Sequence, residues 1–234
     1  MKVMTLDIMI SNEIRQYIAD QHLKYQDKLP SERELCDLFS IQRLTLRSAM
    51  KILEEMGIVD VVPKVGYFVA KQRISKNVNS IRLMSEIIKD NVSTYETKLF
   101  KFVEIEADKY LCRETNLPLG TKFFEIKRLL IADHEPVCMD YCFIPVNLAP
   151  ELVNYKEDIE NLNDILIDKF QFEFYRTTQR IRVIEAENSY RDSLELSNTA
   201  NVALLSGCIF DKHNHVLAFT ESYMKYDRFS FELI

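Results

Sequence analysis

Apolar residues recur at helical spacing along the N-terminal part of the chain. Ile10, Ile14, Tyr17 and Ile18 form one stripe and predict a helix over 7–22. Leu35, Leu38 and Phe39 give a second, shorter stripe, opened by Ser31 with Glu34 three residues on, the spacing of a capping box. Leu46, Ala49, Met50, Leu53 and Met56 predict a third helix over 43–56, ended by Gly57. Residues 40–42 leave room only for a turn between the last two. The runs 58–62 and 67–70, either side of Pro63 and Gly66, have the residue types of a β-hairpin.

The pattern then changes. Residues 71–79, KQRISKNVN, carry few large apolar groups and read as a linker. Beyond it come a short helix over 82–90, a strand over 97–106, a helix over 107–115 and strong strands over 122–132 and 137–144. A helix over 163–170, a mixed strand over 173–187, a short helix over 191–196 and a last hairpin over 203–210 and 216–225 follow, with an edge segment over 229–233. Strands without alternating crossover helices predict an α+β domain built on an antiparallel sheet. The expected organisation is a helical domain over 1–70, a linker over 71–80 and a sheet domain over 81–234.

Composition adds limits. Within 234 residues there is room for two cores, and no apolar run approaches membrane-spanning length. The start of the chain lacks a secretory pattern, so a cytoplasmic protein without membrane partners is expected. The five cysteines are odd in number and scattered, which argues against a disulfide framework. The net charge of −6 is unfavourable for nucleic acid, but the N-terminal part is nearly balanced, leaving a local positive patch on an acidic body. That patch has an address: Arg43 and Arg47 lie four apart and share one helix face, with Thr45 beside it. A cationic helix set at an angle to a preceding one suits the major groove of DNA.

The stretch LPSERELCDLFSIQRLTLRSAMKILEEMG with the hairpin after it resembles the winged helix-turn-helix of GntR-family bacterial transcription regulators. The resemblance implies that Ser31, Arg33, Gln42, Arg43, Thr45 and Arg47 meet DNA and that Lys64 and Gly66 lie in the wing tip. Gln42 stands where that family has serine. Asp60, Val61 and Val62 replace the usual arginines before the wing.

The second part, through FFEIKRLLIADHEPVCMDYCFIP, LNDILIDKF and FDKHNHVLAFTESYMKYDRFSF, resembles the UTRA effector-binding domain of the HutC subgroup, whose fold is chorismate lyase-like. It implies a homodimer, a double-stranded DNA operator and a small-molecule effector such as a sugar or sugar phosphate. Arg128, inside the apolar strand EIKRLLI, needs an anion if it is buried. By resemblance Arg128 holds an anionic group of the effector, Asp140 bonds its hydroxyls or amines, and Glu221 and Tyr223 face the same cavity. Ser93 and Thr94 supply a loop, and Asn163 and Arg180 reach the same region. Leu130 stands where a second arginine is found in sugar-phosphate binders, and Asn161 and Asn163 stand near positions that are often serine and tyrosine.

The expectation is a ligand-responsive repressor without cofactor, metal or catalytic residues. Two other readings stay open: an enzyme of chorismate lyase-like fold using Arg128 with Glu221, and an effector-free architectural protein in which Arg128 is paired internally with Asp140 or Glu221. Cys138, Cys142, His134, His213 and His215 lack zinc-like spacing.

Overall fold

The structure, a computed structural model, describes residues 5–71 and 73–232. The chain divides into two compact units, Met1–Arg73 and Ile74–Ile234.

In the first unit, α1 (Leu6–Asp20), α2 (Glu32–Phe39) and α3 (Arg43–Glu55) precede a hairpin of β1 (Val59–Val62) and β2 (Gly66–Val69). Ile10, Ile14 and Ile18 of α1 close with Leu35, Leu46, Ala49, Met50 and Leu53 over Val59 and Val69 in one core. The capping box is present: Glu34 N donates to Ser31 Oγ at 3.3 Å, and Ser31 N donates to Glu34 Oε2 at 2.8 Å. Ser31→Ala should therefore lower stability by about 1 kcal/mol in urea unfolding. Unchanged stability would show that the cap is redundant here.

Leu38 and Met56, expected inside, are 53% and 50% exposed. Leu38 lies off the single buried position of α2, and Met56 is the C-cap of α3, past its last packed turn. Gly57 ends that helix with φ +67°.

In the second unit, an antiparallel sheet runs in the order β4 (Tyr95–Glu106), β5 (Lys122–Ala132), β6 (Glu135–Pro145), β10 (Val216–Lys225), β9 (Asn201–Phe210). Two short strands finish it on β9, β7 (Arg176–Thr177) and β8 (Arg180–Glu185). These replace the single strand expected over 173–187. The break falls at Thr178–Gln179, where the chain crosses so close to Gly207 that a Cβ there would sit 1.6 Å from the Thr178 carbonyl oxygen.

One sheet face packs Phe124, Ile126, Leu130, Cys138, Cys142 and Ala218 beneath α4 (Met84–Lys89) and α6 (Leu162–Asp168). The other packs Phe123, Leu129, Met139, Phe143 and Phe219 against α5 (Lys109–Thr115) and α7 (Asn188–Arg191). Part of the stretch expected as a linker is built into this unit. Ile74–Asn77 forms β3, which pairs in parallel with β11 (Phe229–Glu232), and Ile74 and Lys76 are buried. Among the described residues no helix is long and apolar enough to cross a membrane.

Candidate nucleic-acid interface and effector pocket

The outer edge of α3 carries Arg43 and Arg47, whose side chains are 65% and 60% exposed. Both converge on Glu32 in the first turn of α2. Arg47 Nε donates to Glu32 Oε1 at 2.9 Å and Nη2 to Oε2 at 3.1 Å, while Arg43 Nε lies 3.2 Å from Oε2. Tyr67 Oη of β2 donates to the same carboxylate at 3.2 Å. The hydrogen bond from Arg47 holds the Glu32 carboxyl below its ordinary range, against the opposing pull of desolvation. Two helices and the hairpin are thus tied at one carboxylate. It pre-positions two guanidinium groups and neutralises only one of them.

Around this edge Arg33 and Gln42 are exposed and Thr45 is half-buried. Gln42 is the N-cap of α3 but makes no side-chain cap bond, so its amide remains available to solvent or a ligand. Lys64 is exposed at the hairpin tip with φ +66°, and Gly66 follows with φ +133°. Sequence reasoning missed Glu32, and also Leu44, which is 79% exposed in the first turn of α3. Leu44 falls off the apolar stripe of its helix, and that was the available signal. An apolar group there can meet a thymine methyl. Val61, Val62 and Val65 are likewise exposed on the hairpin.

In the sheet unit, register decides which residues meet. Arg128 of β5 faces Asp140 of β6, which faces Ser222 of β10. Directly opposed residues share a sheet face. Arg128 Nη2 donates to Asp140 Oδ2 at 2.6 Å, and its Nη1 donates to the Ile159 carbonyl at 3.1 Å. Ser222 Oγ donates to Asp140 Oδ1 at 2.8 Å. The internal pair of Arg128 with Asp140, the mark of the effector-free alternative rather than of an anion-holding Arg128, is therefore formed, and Arg128 is fully buried. Its Nε has no partner. Ser222 was not foreseen. Only the phase of β10 against β6 places it in this line.

Glu221 and Tyr223 are not brought to Arg128. Side chains alternate across a strand, and these two lie on the face opposite Ser222. There Glu221 accepts from Tyr110 Oη and, at 3.3 Å, from Tyr223 Oη. Arg180, opposite Ser206 in register, pairs with Glu114 instead. The backbone amides of Ser93 and Thr94 both donate to Asp133 Oδ1 at 3.0 Å. Asn163 is half-buried in the first turn of α6.

Beside the Arg128–Asp140–Ser222 line lies a cavity of about 20 Å³, lined by Ser222, Thr220, Ser206, Gln179, Lys76 and residues 81–84. Gln179 Oε1 is buried without a partner; Ser206 Oγ is too, but Ser206 stands opposite Glu221 in register, so its side chain belongs to the other sheet face. A space of that size holds about one water molecule. A larger cleft, about 890 Å³, opens elsewhere, at the end of the sheet where β5 begins and β6 ends. It contains none of the expected effector residues. Burial pushes the Cys142 thiol up to about 12 and the Cys138 thiol well above its usual value. Both cysteines behave as small apolar core groups. Among the described residues no group of three or more His, Cys, Asp or Glu side chains is placed to hold a metal ion.

Comparison with known proteins gives two family matches. Residues 8–69 match the family of bacterial regulatory proteins described as gntR, and residues 91–230 match the UTRA domain. The mannosyl-D-glycerate transport/metabolism system repressor MngR of Escherichia coli (strain K12) is 26% identical over 170 residues, 70% of this chain and 71% of that one. The HTH-type transcriptional repressor NagR of Bacillus subtilis (strain 168) is 23% identical over 95% of this chain and 91% of its own. The crystal structure of PhnF from Mycobacterium smegmatis has the same fold, with a TM-score of 0.79 at 20% identity over 96% of this chain and 98% of that one.

Proposed function

Because the chain belongs to the gntR family of bacterial regulatory proteins and carries a UTRA domain, we propose that it is a repressor released from a palindromic operator by a small polar metabolite. It is a ligand-responsive, DNA-binding transcription regulator. What the geometry adds is the reading edge. Arg43 and Arg47 are exposed yet held in place by Glu32, and this observation carries the proposal. Pre-positioned guanidinium groups lose less freedom on meeting a base edge or phosphate. Arg33, Thr45, Gln42 and the Ser31 turn border the same edge, and Lys64 and Gly66 provide the hairpin tip.

Two copies paired through their sheet units would present two such edges to half-sites related by a two-fold axis. The effector reading centres on Arg128, Asp140 and Ser222, supported by Arg128 Nε and Gln179 Oε1, both buried without partners. Glu221, Tyr223 and Arg180, on the opposite face, drop out of that first contact set. MngR is named for a mannosyl-glycerate system, which favours a sugar-derived acid or related polyol as the kind of effector here. The arrangement offers less to an enzyme, since Arg128 and Glu221 do not share a face. It also departs from an internally satisfied architectural protein, because Arg128 Nε and Gln179 Oε1 are left over.

An effector shifts the equilibrium only by its differential affinity for the two arrangements of the protein. The test is operator affinity with and without a saturating metabolite, chosen from small molecules that mass spectrometry finds carried through purification. Affinity should fall by at least about tenfold, a coupling of ~1.4 kcal/mol. Unchanged affinity with the bound metabolite would refute release by effector.

A further inference from the structure

Lys76 is the least expected charge in the sheet unit. It lies on β3, its side chain is 1% exposed, and it lines the same cavity as Ser222, Ser206 and Gln179. Its ammonium donates to two backbone carbonyls, those of Asn77 and Ser80, each at 2.9 Å. The charge that acts on it is the like charge of Arg82, and burial brings its pKa down to about 8. Arg128, by contrast, has Asp140. Among the described residues Lys76 is compensated by carbonyl dipoles alone, and a buried cation so held is poised for an anion.

The carbonyls that hold it belong to the turn that leads into the lining segment 81–84. Ser80 O also accepts from Gln179 Nε2 at 3.0 Å, and Ile81, Arg82, Leu83 and Met84 complete the lining. Lys76 therefore pins the turn that runs into the lining residues 81–84, and at 20 Å³ nothing larger than a water fits unless the lining moves.

We propose that Lys76 is the second cationic contact of the effector, taking an anionic oxygen group, phosphate or carboxylate, in exchange for the Asn77 and Ser80 carbonyls. The exchange frees the 77–83 turn and opens the pocket. Lys76 lies on β3, which begins directly after the first unit ends at Arg73. The inference rests on the effector pocket proposed above.

The test uses the full chain as wild type, Lys76→Gln and Lys76→Arg. Melting is followed with inorganic phosphate, glucose 6-phosphate, gluconate and, as uncharged probes, glucose and glycerol, all at matched ionic strength. An anionic probe should raise the wild-type melting temperature by about 2–5 °C. The shift should persist in Lys76→Arg and vanish in Lys76→Gln, whose melting without probe should not fall below wild type. An equal shift in Lys76→Gln, or a wild-type response to uncharged probes alone, would overturn the role of Lys76 and leave the pocket standing. No response to any probe would overturn both.

Discussion

Arg47→Ala is expected to weaken binding to the protein's own operator by about 10- to 100-fold, the size of one lost bidentate base contact. Arg43→Ala should weaken it less and more evenly across sequences, as loss of a phosphate contact does, with a shallower salt dependence. Neither change should alter unfolding measurably. The Arg47–Glu32 pair is exposed on the arginine side, and exposed pairs contribute little to stability. Gel-shift titration of purified variants on a selected duplex, beside urea unfolding, separates the two effects. Arg47→Ala binding within twofold of wild type would mean that the α3 edge does not read bases.

The second large effect is on stability. Among the described residues, Arg128→Met leaves buried Asp140 with the Ser222 hydroxyl alone as partner, and breaking one side of a buried pair costs about 3–5 kcal/mol. Replacing both, Arg128→Met with Asp140→Leu, should recover most of that loss, because a well-packed apolar pair avoids both desolvation penalties. Urea unfolding of the three proteins gives the comparison. A single Arg128→Met change that costs less than about 1 kcal/mol would show that Asp140 is compensated by other groups. The double variant should also lose any thermal response to the co-purified metabolite.

Where local rules decide, the sequence was informative. Ser31 and Glu34 form the capping box that their spacing predicts, and the stripe from Leu46 to Leu53 is the buried face of α3. Arg43 and Arg47 share the exposed edge because the helix period puts them there. The antiparallel sheet with small helices was legible for the same reason, from strand alternation around short turns.

What escaped depends on contacts between distant residues. Lys76 sits in a polar run that reads as a linker, and it is buried only because β11, more than 150 residues on, pairs with β3. Glu32 looked like an ordinary first-turn acid of α2 until the angle between α2 and α3 brought Arg43 and Arg47 to it. Ser222, Glu221 and Tyr223 are neighbours on one strand, and which of them faces Arg128 is fixed by the register of β10 against β6. A one-residue change of phase would exchange their faces. The strand expected over 173–187 breaks because Gly207 admits the Thr178 backbone, a close approach that no local pattern announces.

The most direct measurement is selection of bound duplexes from a random-sequence DNA library by the full-length protein at low salt, repeated with the Arg43→Ala/Arg47→Ala double variant. The account predicts an enriched motif of two half-sites related by a two-fold axis for the wild type, and its loss in the double variant. No enriched motif, or the same motif from both proteins, would contradict it.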